Sequence, residues 1–401
     1  MPAPTDHLLL PFFDTTHREI GNCLADWMPK QLIDEREDRQ ACRDWVALLG
    51  KNQWLRYCVE AAHGGALEKL DSRALVVLRE TLAFHSPLAD FAFAMQGLGS
   101  GTITLAGTPE QRARYLPAVA SGEMIAAFAL SEANAGSDVA AMSTRAEQRD
   151  STWILNGEKT WISNGGIADF YCVFAKTEPE LGVRGISCFI VEKSAVGLDA
   201  SAHIQVMSPH PLATLKFHNC VIPGAALVGE LNGGFKLAMQ TLDIFRASVA
   251  GAALGMARRA YAEAVAYAKQ RKMFGQMLAD FQLTQAKIGE MKALLDAAAL
   301  LTYRAAWMRD AARVGDAASM RDAALARDAQ AVRTTAEAAM AKMTATENAQ
   351  RIIDMALQMH GGIGVMVGSK VESLYRDIRS LRIYEGATEV QQLIIGKAAL
   401  A

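Results

Sequence analysis

The chain has 401 residues, 51% of them hydrophobic, enough for two or three domains around large cores. A formal net charge of -2 at pH 7 leaves no basic surface to hold nucleic acid. The six cysteines (Cys23, Cys42, Cys58, Cys172, Cys188 and Cys220) are scattered, with no C-x-x-C or zinc spacing, and read as free thiols in a reducing cytoplasm.

The N-terminal MPAPTDHLLLPFFD resembles neither a secretory signal nor a transit peptide, and no apolar run is long enough to span a bilayer, so a cytoplasmic, membrane-free protein is expected. Up to about residue 124 the pattern is helical, as in DSRALVVLRETLAF, where Ala74, Val77, Leu78 and Leu82 recur at spacings of three and four. GLGSG at 97–101 follows no strand and reads as a helix break or a close-packing site, not a phosphate loop. From 125 to 232 the texture is β: STWILNGEKTWISNG alternates and carries an Asn156-Gly157 turn, and ADFYCVFAKT, ISCFIVEKS and ATLKFHNCVI read as strands. Long Ala-, Leu- and Met-rich helical patterns then run through 235–271, about 280–312 and about 320–359, ending at His360-Gly361-Gly362. Within them, 309–333 mixes Ala with Asp and Arg, a solvated helix face with local ion pairs or a partner-binding helix. In LRIYEGATEVQQLIIG, Thr388 and Gln391 form a T-x-x-Q capping pattern, which predicts a helix from Glu389 with Glu385 in the turn before it.

The order of helices, strands and helices gives an α+β chain with domains 1–124, 125–232 and 233–401, not an alternating nucleotide-binding sheet. Within it, FALSEANAGSDVAA runs from an apolar strand into small residues that expose N–H and hydroxyl groups, either to a ligand or as an ordinary polar loop. KTWISNGG puts Trp161 and Ser163 two apart on one side of a strand, which suits a flat heterocycle or simply a buried Trp. RKMFGQMLADFQ sets Arg271, Phe274 and Gln282 around a helix–helix turn, and the glycines of QMHGGIG read first as a helix stop. On its residues alone, Glu385 is a favourable charge near a helix N-terminus or a catalytic acid–base group.

Taken together, SEANAGSD, KTWISNGG, RKMFG, QMHGGIG and IYEGATEV resemble the acyl-CoA dehydrogenase family over nearly the whole chain from about residue 75. The resemblance implies an N-terminal α-helical domain, a central β domain and a C-terminal four-helix bundle, assembled as a homotetramer that holds FAD between subunits. It implies oxidation of an acyl-CoA to the 2-enoyl-CoA, with Glu385 removing the α-proton, hydride transfer to flavin N5, and electrons passed to an electron-transferring flavoprotein. Carried over, the flavin ring meets Phe128, Leu130, Ser131, Trp161 and Ser163. The rest of FAD, held mainly by a neighbouring subunit, meets Arg271, Phe274, Gln282, Gln358, Gly361 and Gly362, with Thr388 and Glu389 near it. Ser137, Asp243 and Arg246 fall on the CoA side, and Gly386 lets the thioester lie close.

Asp90 falls on the helix that lines the family's acyl pocket, where it would face the substrate; otherwise it caps that helix after Pro87 or pairs with a base. The chain departs from the family at Ala133 and Ala387, where Pro and Thr are usual, and in a shortened 207–217 loop that lacks its Arg. His210 in that loop reads as a rigid-loop residue or a functional one. Two other roles compete with dehydrogenation: a relative acting on a cyclic or functionalised acyl-CoA, and a flavin-containing scaffold or stress protein, which would call for a replaced base or a basic region.

Overall fold

The computed structural model describes residues 1–314 and 334–401. The part of the Asp–Arg segment from 315 to 333 lies outside the described residues, so its reading as a solvated face or a partner helix stays an expectation. The chain begins with α1 (Thr15–Trp27), α2 (Asp38–Lys51), α3 (Ser72–His85), α4 (Pro87–Ala106) and α5 (Pro109–Ser121). The strands follow: β1 (Ala126–Ala129), β2 (Arg145–Arg149), β3 (Thr152–Ser163), β4 (Phe170–Lys176), β5 (Ile186–Glu192), β6 (Leu198–Ile204), β7 (Leu212–Pro223) and β8 (Leu227–Val228). Next come α6 (Gly234–Gln270), the short pair β9 (Lys272–Met273) and β10 (Gln276–Met277), then α7 (Gln282–Val314), α8 (Thr335–His360), α9 (Lys370–Leu381) and α10 (Thr388–Leu400). Helices, sheet and helices succeed one another as the hydrophobic periodicities predict.

The chain forms two compact units, one of residues 1–32, 71–90 and 246–401, the other of 33–70 and 91–245. The first is helical. Asp71 caps α3 by accepting from Ala74 N at 2.8 Å and is braced by His17 Nε2 at 3.0 Å. Small residues let α6 lie against α3 backbone to backbone: a Cβ on Gly255 would stand 2.1 Å from Glu80 O, and one on Gly251 2.8 Å from Val76 O. Ala250, Ala253, Ala257 and Ala260, on the opposite side of α6, are buried as well. The segment after α6 is a tight hairpin, not the helix–helix turn expected, because Phe274 (φ 49°) and Gly275 (φ 82°) both take the left-handed conformation that a two-residue β-turn needs.

The T-x-x-Q cap does not form. Ala387 is the N-cap of α10 and Thr388 is already helical, its hydroxyl donating to Glu347 Oε1 at 2.6 Å. Gln391 reaches back instead to the turn, its Nε2 donating to Gly386 O at 2.9 Å and Glu385 O at 3.4 Å.

The second unit is built on a sheet in the order β6-β7-β3-β2-β4-β5-β8, with β1 joined in parallel to β4. Alternate residues of β4 and β5 (Phe170, Cys172, Phe174; Ile186, Cys188, Ile190) bury one face with Ile103, Leu116, Val119 and Leu237. All six cysteines are free. The glycines of GLGSG do not break α4; they are close-packing sites, a Cβ on Gly97 lying 2.6 Å from the Phe245 ring and one on Gly99 2.7 Å from Ala126. Asn156-Gly157 is not a turn either. β3 runs straight through it, absorbing Gly157 (φ 140°) as an irregularity against β7, while the chain reverses at Asp150 (φ 50°). Tertiary pairing with β7 overrides the local turn preference.

Candidate active site

Glu385 lies between α9 and α10, in a turn that sequence chemistry alone would not favour. It is a non-glycine residue in the left-handed region (φ 51°), followed by Gly386 at φ 91°. The turn is over-determined by its surroundings. Tyr384 N donates to Ser380 O at 3.1 Å, Thr388 N to Arg382 O at 3.2 Å, and the buried Lys342 of α8 donates from Nζ to Gly386 O at 2.7 Å. Gly386 is needed twice, for its positive φ and because a Cβ there would stand 2.5 Å from Gln391 Nε2. Arg382 and Thr388 clamp the same turn to Glu347, with N–O distances of 2.8 Å for the two Arg382 contacts.

Glu385 is half-buried as a residue, and its Oε2 is buried with no hydrogen-bond partner among the described residues. Burial raises its pKa above the ordinary carboxylate range; the charges of Arg79, Lys342 and Arg246 oppose that rise, and Asp90 adds to it. Burial in turn brings the Lys342 ammonium down to about 8, with Glu385 opposing. Arg246 is buried on the same unit and Gln391 is fully enclosed. Asp90 is the paired residue of the expectations: both its oxygens accept from Arg79, Oδ1 from Nε at 2.8 Å and Oδ2 from Nη2 at 2.9 Å, while Arg79 Nη1 donates to Ser248 Oγ at 3.0 Å. The cap after Pro87 belongs to Ser86, whose Oγ accepts from Ala89 N at 3.0 Å. Burial opposes the guanidinium charge of Arg79, and Asp90 more than offsets it, holding the group above its usual range.

In the sheet unit, the motifs expected at a flavin ring are bound to one another by backbone and buried charge. Lys159 Nζ donates to Leu130 O at 3.0 Å and to Glu132 Oε1 at 2.8 Å, and Thr160 N donates to Ser131 O at 3.0 Å. Glu132 also accepts from Ser143 N at 2.6 Å and Thr144 N at 3.0 Å. Burial would raise the Glu132 carboxyl, but Lys159 outweighs it and holds it at about 2. Between Lys159 and Ile162 the register against β7 slips, and Trp161 stands out of the bulge at φ 54°, 51% exposed. A bulky aromatic held in a left-handed backbone and half in solvent is costly without a partner, and it presents a flat face such as an isoalloxazine ring fits. Ser163, half-buried beside it, has its Oγ 3.1 Å from His210 Nε2. Phe128 is half-buried and Leu130 buried.

The remaining expected residues are open. Ser137 is exposed in the loop after β1 and Asp243 half-exposed on α6 in this unit. In the helical unit Arg271, Gln282, Gln358 and Glu389 are exposed, and Phe274 is 88% exposed. Gly361 sits at φ 60°, ψ -136°, a region open essentially to glycine alone, and a Cβ on it or on Gly362 would meet nothing within 4 Å. These residues leave backbone and aromatic faces accessible to a ligand such as FAD.

Sequence reasoning passed over Arg79, Lys342, Glu132 and Lys159, whose roles come from partners far away in sequence. His210, named there chiefly as a loop residue, is a hydrogen-bond partner of Ser163 with its ring 3.9 Å from that of Phe91, and burial lowers its pKa to about 4, so it is neutral. Among the described residues no cluster of His, Cys, Asp and Glu is arranged to hold a metal ion, and no helix is long and apolar enough to cross a membrane.

The chain matches three family descriptions in sequence: "Acyl-CoA dehydrogenase, N-terminal domain" over residues 15–123, the middle domain over 127–220 and the C-terminal domain over 232–400. It is 36% identical over 396 residues to a 3-(aryl)acrylate reductase of Clostridium sporogenes, covering 97% of this chain and 100% of the relative. It is 37% identical to the caffeyl-CoA reductase–Etf complex subunit CarC of Acetobacterium woodii, over 96% of this chain and 98% of that one. A crystal structure of an acyl-CoA dehydrogenase complexed with FAD from Bacillus anthracis superposes with a TM-score of 0.88 at 30% identity, covering 100% of this chain and 71% of that one.

Proposed function

Because the chain belongs to the acyl-CoA dehydrogenase family, and is thereby a flavin-linked oxidoreductase that takes FAD, we propose that it oxidises an acyl-CoA to its 2-enoyl-CoA with Glu385 as α-proton base. The observation that carries this reading is the Glu385 carboxyl, enclosed and with Oε2 unpartnered at the mouth of a glycine turn. An α-proton next to a thioester yields only to a base whose proton affinity is raised, and burial supplies that rise. FAD, when bound, supplies the acceptor for the β-hydrogen. Trp161 and Ser163, with Phe128, Leu130 and Ser131, would hold its ring; Arg271, Phe274, Gln282, Gln358, Gly361 and Gly362 would contact the far end of an FAD held mainly by a neighbouring subunit, with Thr388 and Glu389 as further FAD contacts. Ser137, Asp243, Arg246 and Gly386 would bind and orient the acyl-CoA.

A second direction has its own support, since one relative is named a 3-(aryl)acrylate reductase and another a subunit of a caffeyl-CoA reductase–Etf complex. In that direction Glu385 returns a proton to the α-carbon of a functionalised enoyl-CoA. Electron exchange with an electron-transferring flavoprotein is supported by the name of the Acetobacterium relative. A homotetramer is supported by exposed Phe274 (88%), Val365 (63%), Met366 (62%) and Val367 (89%), apolar surface that a neighbouring subunit would cover.

The test is anaerobic flavin bleaching of the purified yellow protein with saturated acyl-CoAs, including 3-phenylpropionyl-CoA, and reoxidation of the reduced protein with the matching enoyl-CoAs. Bleaching by one class of thioester and reoxidation by its enoyl partner is the expected outcome. A protein that cannot be reconstituted with FAD, or whose bound flavin responds to no thioester in either direction, defeats the reading and favours a scaffold.

A further inference from the structure

We propose that Asp90 is a positioning residue for the reaction: by occupying Arg79 from both carboxylate oxygens, it prevents Arg79 from forming an ion pair with Glu385 and so keeps that carboxyl a free base. The inference rests on the reading of Glu385 as base. The charges of three cations act on Glu385, Arg79 from α3, Arg246 from α6 and Lys342 from α8, with Asp90 from α4 as the anion acting with opposite sign and Tyr384 as the adjacent phenol. Lys342 spends a hydrogen bond on Gly386 O at 2.7 Å. Arg79 is the cation best able to capture a carboxylate, because its planar guanidinium makes parallel hydrogen bonds. In this fold those bonds go to Asp90 at 2.8 and 2.9 Å, with Ser248 Oγ accepting from the remaining amino group at 3.0 Å.

The arrangement explains an otherwise expensive feature. Asp90 and Arg79 are only 3% and 2% exposed, and a buried ion pair gives weak net stabilisation next to apolar residues of the same size. Its value lies beside Glu385, where a guanidinium without a counter-anion would convert the base into a stable ion pair. The two members of the pair therefore act on Glu385 with opposite sign. Loss of the Asp90 charge exposes Glu385 to Arg79 and depresses its pKa; loss of Arg79 removes an opposing cation and lets burial raise it further, with Asp90 itself, already raised by burial, turning toward its neutral form.

The experiment measures flavin bleaching by a thioester that reduces the wild-type holoenzyme, across pH, in Asp90→Asn, Arg79→Gln and the double variant, with Glu385→Gln as control. Asp90→Asn is expected to move the acid limb of the rate profile down by about one pH unit or more, and Arg79→Gln up by a similar amount. The double variant returns it toward the wild-type position. Opposite shifts are not produced by a merely structural ion pair, whose two half-removals weaken the fold alike. Should Asp90→Asn fail to fold, an upward shift in Arg79→Gln alone supports the proposal and an unmoved limb overturns it. Limbs that stay in place, or move together, while Glu385→Gln abolishes bleaching overturn the role of Asp90 and leave Glu385 as base. Persistent bleaching in Glu385→Gln removes the base, and this proposal with it.

Discussion

Glu80 and Glu385 belong to the same helical unit and both carboxyls are enclosed, yet their surroundings drive them in opposite directions. Glu80 accepts hydrogen bonds from Arg258 and from Tyr303, whose hydroxyl lies 2.8 Å from Oε2, and has His7 at 3.7 Å. Burial alone would raise its pKa, but His7, Arg258 and Tyr303 outweigh burial and hold it below the ordinary range. Glu385 has cations nearby but no hydrogen bond to Oε2, and there burial wins. Enclosure by itself therefore does not make a catalytic base. Enclosure with hydrogen bonds makes a strut; enclosure without them leaves a proton acceptor.

The contrast is most exposed to refutation when each carboxylate is removed and its shape kept. Glu385→Gln is expected to slow flavin reduction by a good substrate roughly 10²- to 10⁴-fold, the usual worth of a general base, with acyl-CoA binding largely retained. Stopped-flow bleaching measures it, and a near-wild-type rate would put the base elsewhere. Glu80→Gln leaves Arg258 buried against a weaker acceptor. Its expected cost is thermal stability, about 3–5 kcal/mol in the manner of a broken buried pair, with bleaching in the folded protein changed only a few-fold. Denaturant unfolding followed alongside stopped flow separates the two, and a Glu80 variant that is stable but slow would contradict its role as a strut.

How much of this was legible in the sequence depends on the range of the interaction involved. The class of fold followed from hydrophobic periodicity: spacings of three and four in DSRALVVLRETLAF became α3, and the apolar runs around Phe174 and Phe189 became paired strands. The motifs drew attention to Glu385, Trp161 and Ser163 because small and aromatic residues cluster there. Local rules failed where a distant partner was stronger. Asn156-Gly157 reads as a turn but is drawn into the ladder with β7, and Thr388 reads as a cap but donates to Glu347. No spacing rule joins Lys342 to Gly386, 44 positions apart, or Lys159 to Glu132, 27 apart, so the buried charges that set the pKa values were invisible before folding.

Lys342 offers an intermediate test, since it serves the Glu385 turn through one hydrogen bond to a backbone carbonyl. Lys342→Met keeps the buried stem and removes the donor, leaving Gly386 O without its ammonium. The expected loss is about 1–3 kcal/mol of stability, together with slower bleaching as the left-handed turn loses a clamp. The same substitution takes away a cation that opposes the raised pKa of Glu385, so the acid limb of the bleaching profile should move to higher pH. A limb that moves to lower pH would show that Lys342 does not act on the carboxyl through its charge.

The smallest expected effect is the most discriminating, because it reverses sign between the two carboxyls. Glu385 has a folded pKa above its unfolded value, so its contribution to stability is fully present below the unfolded pKa, near 4.5, and is lost as pH rises through the folded one. Glu80 has a folded pKa below its unfolded value, so its contribution is present above the same unfolded pKa and is lost as pH falls through the folded one. A tenfold difference in proton affinity between the folded and unfolded chain corresponds to about 1.4 kcal/mol. At neutral pH Glu385→Gln should therefore be more stable than wild type, since glutamine never has to bury a charge, whereas Glu80→Gln should be less stable. Near pH 4 the Glu385 difference should shrink, as protonation makes its carboxyl resemble the amide, whereas the Glu80 difference only begins to shrink below the unfolded pKa and closes as pH falls through the lower folded one. Thermal unfolding of the two variants at pH 7 and at pH 4, each with FAD in excess, reads the pattern. A Glu385→Gln variant that is less stable than wild type at pH 7 would mean that its carboxylate is held by partners after all, and the contrast with Glu80 would collapse.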